Sequence, residues 1–174
     1  MRSTAPHIFA AGDCTGPHDI VHIAVQQGEV AAHNILKPES RRMDDRLHIS
    51  IVFTDPHLAY TGLLEKDAKS KKIPHLTASY PFNDHGKSII MDAQEGFVKL
   101  LADPKSGEIL GGACVGPSGA ELIHEIVVAM SKRMTVQEFA NVPHYHPTLA
   151  EIWTYPAEEL AAIVLLNKGS GKPG

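Results

Sequence analysis

Between His48 and Val115 the chain is cut into short apolar runs by turn residues, and from Ser118 onward the apolar spacing lengthens to that of helices. This change of period restricts the fold more than any other feature. Side chains alternate across a strand but recur every three to four residues on one face of a helix. His48–Thr54, His75–Phe82, Lys87–Asp92, Gly96–Ala102 and Glu108–Val115 read as strands, with Leu63–Lys72 as a short Lys-rich helix among them. Asp103 to Gly107 has the turn chemistry of a hairpin. Ser118–Arg133 then carries Leu122, Ile123, Ile126, Val127 and Met130 at helical spacing. Thr135 and Glu138 have the spacing of a capping box, and so do Thr148 and Glu151 at the head of a helix expected over 148–167. Strands gathered centrally and helices gathered at the end predict an α+β fold, a central antiparallel sheet with helices packed on one side.

The first forty residues have a different character. His7 to Ala11 reads as a short buried strand ended by Gly12-Asp13 and a Gly16-Pro17 turn. A helix is expected from Asp19, its N-cap, to Leu36, with Pro38 just past its end. Strand, turn and helix are too little to bury a core. The polar stretch from Pro38 to Asp45 reads as a linker, so the expected organisation is residues 1–40, a main domain over 41–168, and a flexible tail at 169–174.

Composition narrows the partners. The 174 residues are 43% hydrophobic and 21% charged, and 16 Lys+Arg against 20 Asp+Glu leave a formal charge of −4. Mild acidity gives no reason to expect nucleic acid or an anionic membrane. No apolar run approaches the roughly 18 residues of a membrane helix, and none near Met1 suits a signal peptide, so a cytoplasmic protein is expected. Cys14 and Cys114 form no C-x-x-C pair and are expected to be buried, inert thiols. Among the 11 histidines, His144 and His146 are framed by Pro143 and Pro147 with no third ligand at metal spacing, and His57, His75 and His85 are scattered. No metal site is expected.

Two strings carry chemistry. Ile8-Phe-Ala-Ala-Gly-Asp-Cys14 ends a buried run in small residues, where Gly12 allows close approach of a ligand, Asp13 can accept from a hydroxyl, and the following helix N-terminus can face an anion. Asp13 is equally suited to ordering its own turn. In the second string, His144 to Glu151, Pro147 holds His146 outside a helix whose first turn carries Glu151. Two roles are open to Glu151: capping that helix, or orienting the imidazole and raising its basicity for proton transfer. Glu121, His124 and Glu125 share a helix face that is either solvated or part of a subunit interface.

Taken in order, these strings resemble the pyridine nucleotide–disulfide oxidoreductase family. Ala10-Ala-Gly-Asp13 before a helix looks like its second flavin-binding motif. Val52-Phe-Thr-Asp-Pro-His-Leu-Ala-Tyr-Thr-Gly-Leu63 resembles its FTDPE(L/I)A-x-x-G-L-T-E signature. Gly107 to Ile123 resembles the next block, and His146-Pro-Thr-Leu-Ala-Glu151 the closing His-Pro-Thr-x-x-Glu element. The resemblance covers about His7 to Leu166. It implies a parent enzyme that passes electrons from NAD(P)H through FAD to a disulfide, with Gly12 and Asp13 at the FAD. It also implies a homodimer in which His146, oriented by Glu151, acts as acid–base on a thiol of the partner subunit. The chain has neither a G-x-G-x-x-G fingerprint nor a C-x-x-x-x-C disulfide, so it is expected to be a C-terminal portion, inactive alone and retaining no cofactor. Mercuric reductases of the family commonly have Tyr at the His146 position and a C-terminal Cys pair. The resemblance therefore favours a dihydrolipoamide dehydrogenase-like parent acting on a dithiol or disulfide, with a mercuric reductase-like parent as the alternative. The remaining reading is a free-standing dimeric binding or assembly module.

Overall fold

Antiparallel pairing joins five strands, β1 (Ile49–Val52), β2 (His57–Gly62), β3 (Leu76–Pro81), β4 (Phe97–Ala102) and β5 (Ile109–Gly116), into one sheet in the order β1-β2-β5-β4-β3. The computed structural model describes residues 1–16, 19–37 and 40–169. The chain divides into two compact units, Met1–His48 and Ile49–Gly174. Pro17 of the expected first turn, Pro38 and Glu39 of the expected linker, and residues 170–174 of the expected tail lie outside the described residues.

In the second unit the registers Ala59↔Cys114 and Thr61↔Gly112, and Val98↔Cys114 and Leu100↔Gly112, put these side chains on one face. Ala59, Thr61, Val98, Leu100 and Cys114 are completely buried, and Gly112 is buried with them. On that face lie α4 (Gly119–Ser131), against β5, β2 and β1, and α6 (Thr154–Gly169), against β3 and β4. Gly112 sits close under α4, since a Cβ there would stand 3.0 Å from Ile126 Cγ2. Trp153 closes the layer; it is fully buried and its indole N–H donates to the Leu122 carbonyl of α4 at 3.1 Å. The opposite face carries a row of paired apolar residues, Val52↔Leu58↔Val115↔Phe97↔Pro81, running across the whole sheet. Val52, Leu58 and Phe97 of this row are exposed.

Local chemistry accounts for the connections. Asp103 Oδ1 accepts from the backbone N–H groups of Lys105 and Ser106, closing the β4–β5 hairpin. The expected capping box forms at α5 (Val136–Ala140), where Thr135 and Glu138 each accept from the other's backbone N–H. Glu65 of α2 (Glu65–Ser70) bonds Lys69 and reaches Lys99 of β4 at 2.8 Å. These two ammonium groups hold its carboxyl down to about 2.

Several expectations are corrected. Lys87–Asp92 is not a strand; residues 86–90 form a short helix, α3 (Gly86–Ile90), because His85 is anchored in the core and bonds Ser88 one turn on. Tertiary anchoring there outweighs the β-preference of Ile89 and Ile90. The fifth strand is instead β2, whose inward residues Ala59 and Thr61 are too small or polar to announce an alternating pattern. Residues 7–11 form no strand beyond a single bridge, Arg2↔Phe9, since a buried strand needs neighbours that the first unit does not offer. The helix of that unit, α1 (Val21–Leu36), begins at Ile20 with no side-chain cap, so Asp19 does not cap it. Over 148–153 a 3-10 turn, Ala150–Trp153, precedes α6, and no side chain caps it. Cys114 is buried, its thiol pushed up to about 12 by desolvation, but the turn at Gly12–Gly16 carries Cys14 to the surface.

Trp153 joins α4 to the start of α6 by packing and by one buried hydrogen bond. Trp153→Ala is expected to lower unfolding stability by about 3–5 kcal/mol, read by urea denaturation at fixed protein concentration. A loss under about 1 kcal/mol would contradict the central packing role given to this ring.

Candidate functional site

Glu151 lies in the 3-10 turn before α6 with its side chain only 8% exposed, while the His146 side chain is 75% exposed. His146 Nδ1 faces both carboxylate oxygens, at 3.1 and 3.0 Å. Of the two roles the sequence left open to Glu151, capping is not seen, since its carboxylate turns to imidazole and not to the backbone of the turn. The carboxylate only accepts, so Nδ1 carries the hydrogen and Nε2 is left with its lone pair. An exposed base held by a buried carboxylate is the arrangement needed to take a proton from an approaching acid and return it.

A third residue completes this group. His85 is fully buried, and its Nε2 stands 3.3 Å from Glu151 Oε1. Burial foremost pushes the His85 imidazole below its ordinary 6.5; His146 acts in the same direction and Glu151 opposes. Phe82 and Tyr155 present edges to the ring at 6.4 and 6.2 Å. Phe82 fits beneath the sheet only because residue 116 is glycine, for a Cβ there would lie 2.0 Å from its ring. Tyr155 in turn stacks on Tyr80 at 4.0 Å, and the Tyr80 phenol, desolvated and bonded to Asp84, is pushed up to about 12. Tyr155 is likewise pushed up, by burial first and then by the Glu151 carboxylate. No sequence signal marked His85, which reaches Glu151 only through the fold of β3 and α3.

The neighbouring His144 points elsewhere. Its Nε2 meets Glu125 Oε1 of α4 at 2.6 Å and its Nδ1 faces the Val142 carbonyl at 2.8 Å. Both nitrogens are engaged, so the ring is a tie between α4 and the 143–147 loop, not a free base. Glu125 is thus not simply part of a solvated face, whereas Glu121 is 73% exposed and only 4.0 Å from His57. Among the described residues no group of three or more His, Cys, Asp or Glu side chains is arranged to hold a metal ion.

Gly12 and Asp13 belong to the first unit. Gly12 has φ 81°, a left-handed conformation that favours glycine. Its N–H donates to Gln27 Oε1 at 2.6 Å and its carbonyl accepts from the Thr15 hydroxyl at 2.9 Å. The turn therefore offers a ligand the exposed Asp13 carboxylate and the uncapped start of α1. That set fits one hydroxyl- and phosphate-bearing edge of a flavin nucleotide.

The family model for the pyridine nucleotide-disulphide oxidoreductase dimerisation domain matches residues 49–157, well over half of the chain. The chain belongs to this family. Among curated relatives, the dihydrolipoyl dehydrogenase of Vibrio parahaemolyticus is 36% identical over 151 residues, 87% of this chain and 32% of the relative. That of Mycobacterium tuberculosis is 38% identical over 152 residues, 87% of this chain and 33% of the relative. The solved LpdA of Mycobacterium tuberculosis superposes with a TM-score of 0.84 at 31% identity, covering 91% of this chain and 35% of that one. The disulfide reductase RclA of Escherichia coli shares the fold, with a TM-score of 0.78 at 22% identity over 89% of this chain and 36% of its own. The chain thus spans about a third of the length of the relatives it matches, and most of what it contributes to the family fold is the dimerisation domain. No helix among the described residues is long and apolar enough to cross a membrane.

The buried His85 ring gives stability a pH signature. Its folded-state pKa lies below the unfolded value, so the unfolded chain takes up a proton that the folded one refuses. Stability is therefore expected to fall as pH drops below about 6.5 and to level off once the folded ring also protonates. Urea denaturation between about pH 7 and pH 5 should show a steeper loss in the wild type than in His85→Gln; equal slopes would contradict a buried, neutral His85.

Proposed function

We propose that the chain is the subunit-pairing and acid–base portion of an FAD-dependent NAD(P)H:disulfide oxidoreductase of dihydrolipoamide dehydrogenase type, working as a homodimer on a dithiol or disulfide substrate. The observation that carries this reading is the His146–Glu151 pair, an exposed imidazole whose Nδ1–H is held by a buried carboxylate while Nε2 faces outward. In the thiol step, Nε2 takes the proton from an S–H and leaves a thiolate as the nucleophile. Glu151 stabilises the imidazolium that forms. When a sulfur leaves as thiolate, the same Nε2–H returns the proton, so the ring ends as it began.

The thiol acted upon belongs, on this reading, to the partner subunit. Support for pairing comes from the apolar row Val52–Leu58–Val115–Phe97 on the open sheet face and from exposed Leu165 and Leu166 on α6. Asp13 would hold a hydroxyl of the flavin nucleotide, with the start of α1 facing an anionic or carbonyl group. When bound, FAD supplies the relay of electrons between nicotinamide and disulfide. Residues 1–40 contact only one edge of such a cofactor, and tight binding needs most of it enclosed. The chain by itself is therefore proposed to be colourless and without reductase activity, and its working compartment to be the cytoplasm.

In a full-length enzyme carrying this domain, His146→Gln is expected to slow reduction by a dithiol substrate by about 10²–10⁴-fold while leaving reduction of the flavin by NAD(P)H near the wild-type rate. Rapid-mixing measurement of the two half-reactions separates them. An unchanged dithiol half-reaction would remove His146 from the chemistry, and steady NAD(P)H oxidation by the isolated chain would overturn its assignment as an incomplete unit.

A further inference from the structure

Glu151 Oε2 faces His146 alone, whereas Oε1 is shared. It lies 3.1 Å from His146 Nδ1 and 3.3 Å from Nε2 of His85, a residue from a distant part of the sequence whose ring is sealed from water. Three neighbours fix that ring. Ser88, also fully buried, lies 2.9 Å from His85 Nδ1, and Phe82 and Tyr155 pack against it edge-on. The tautomer follows from what each neighbour can do. A carboxylate can only accept, so Nε2 carries the hydrogen; Nδ1 then offers a lone pair, and the Ser88 hydroxyl donates to it. At 3.3 Å the Nε2 to Oε1 approach falls short of a formed hydrogen bond, and His85 Nε2 has no other partner among the described residues. A buried donor is thus aimed at the Glu151 carboxylate. The same short helix lies beneath the outer imidazole, since a Cβ on Gly86 would stand 3.8 Å from His146 Cε1.

We infer that His85 is a positioning residue, a neutral buried N–H donor that holds Glu151 Oε1 so that the carboxylate stays turned toward His146 Nδ1. This rests on the reading of His146 and Glu151 as the acid–base pair. A neutral donor is suited to the task. Lys or Arg at this place would form its own ion pair with Glu151 and compete with the His146 imidazolium, whereas a purely apolar residue would leave Oε1 to the shared His146 Nδ1–H, which also faces Oε2. The desolvation that depresses protonation of His85 keeps it from competing for the proton that His146 must carry.

The test uses the whole chain with 15N-labelled histidine, in which long-range proton–nitrogen correlation reports the tautomer of each ring. In the wild type, His146 is expected to bear its hydrogen on Nδ1 and His85 on Nε2. His85→Phe keeps a ring but removes the donor; the Nδ1–H form of His146 should become a mixture and its exchange with water about tenfold faster, a small part of the 10²–10⁴ that acid–base catalysis contributes. His85→Gln, which can still donate to Glu151, should restore the wild-type pattern. Ser88→Ala, a small change, should mix the His85 tautomers and covers the case in which His85→Phe fails to fold. Glu151→Gln is the reference. If it leaves His146 unchanged, the pair itself is wrong. If it mixes the His146 tautomers while His85→Phe, or Ser88→Ala in its place, does not disturb the rings, the pair stands and the role of His85 is overturned.

Discussion

A carboxylate withdrawn from water must be met by donors, because desolvation otherwise forces it to neutralise or to move. Glu151 is met by two imidazoles of opposite character, one three-quarters exposed and one sealed in the core. This asymmetry gives the group its direction. Burial disfavours protonation of the inner ring, while the outer ring is the one that reaches the surface.

The rest of the domain can be understood as the frame that holds this group. A sheet of five antiparallel strands carries helices on one face only, and Gly112 lets α4 settle close to it. Trp153 fastens α4 to the turn that bears Glu151, while Gly116 leaves space for the Phe82 ring that backs His85. The His144–Glu125 tie anchors the loop just before His146 to the same helix. The stretches 82–88 and 144–155 thus meet at one carboxylate, and 116–125 backs both of them. On the proposed reading, such backing holds the proton-transfer geometry in place.

Much of this was legible in the sequence, and the failures have physical causes. The period change near Ser118 disclosed the α+β order, and the Thr135–Glu138 spacing disclosed a capping box that forms. The identical spacing of Thr148 and Glu151 misled for the helix start, because spacing cannot tell whether a Glu faces its own backbone or a histidine in the core. β2 was hidden because its inward side chains are Ala59 and Thr61, small enough to pack beneath a helix but too weak to mark an alternation. Ile89 and Ile90 suggested a strand, yet they are exposed on α3, where the anchoring of His85 and Ser88 decides the local structure. His146 and Glu151 are close in the chain and could be paired by eye. His85 could not, since its partnership exists only once β3 and α6 lie side by side.

If, as proposed, this domain presents an oriented base to a thiol of another subunit, mixed dimers test it most directly. One full-length protomer would carry His146→Gln, and the other a serine in place of a cysteine of the redox disulfide. Each homodimer should be close to inactive with a dithiol substrate. The mixed dimer should recover one working site of its two, in which the intact imidazole of one subunit meets the intact disulfide of the other. Mixed dimers no more active than the homodimers would contradict a base that works across the interface.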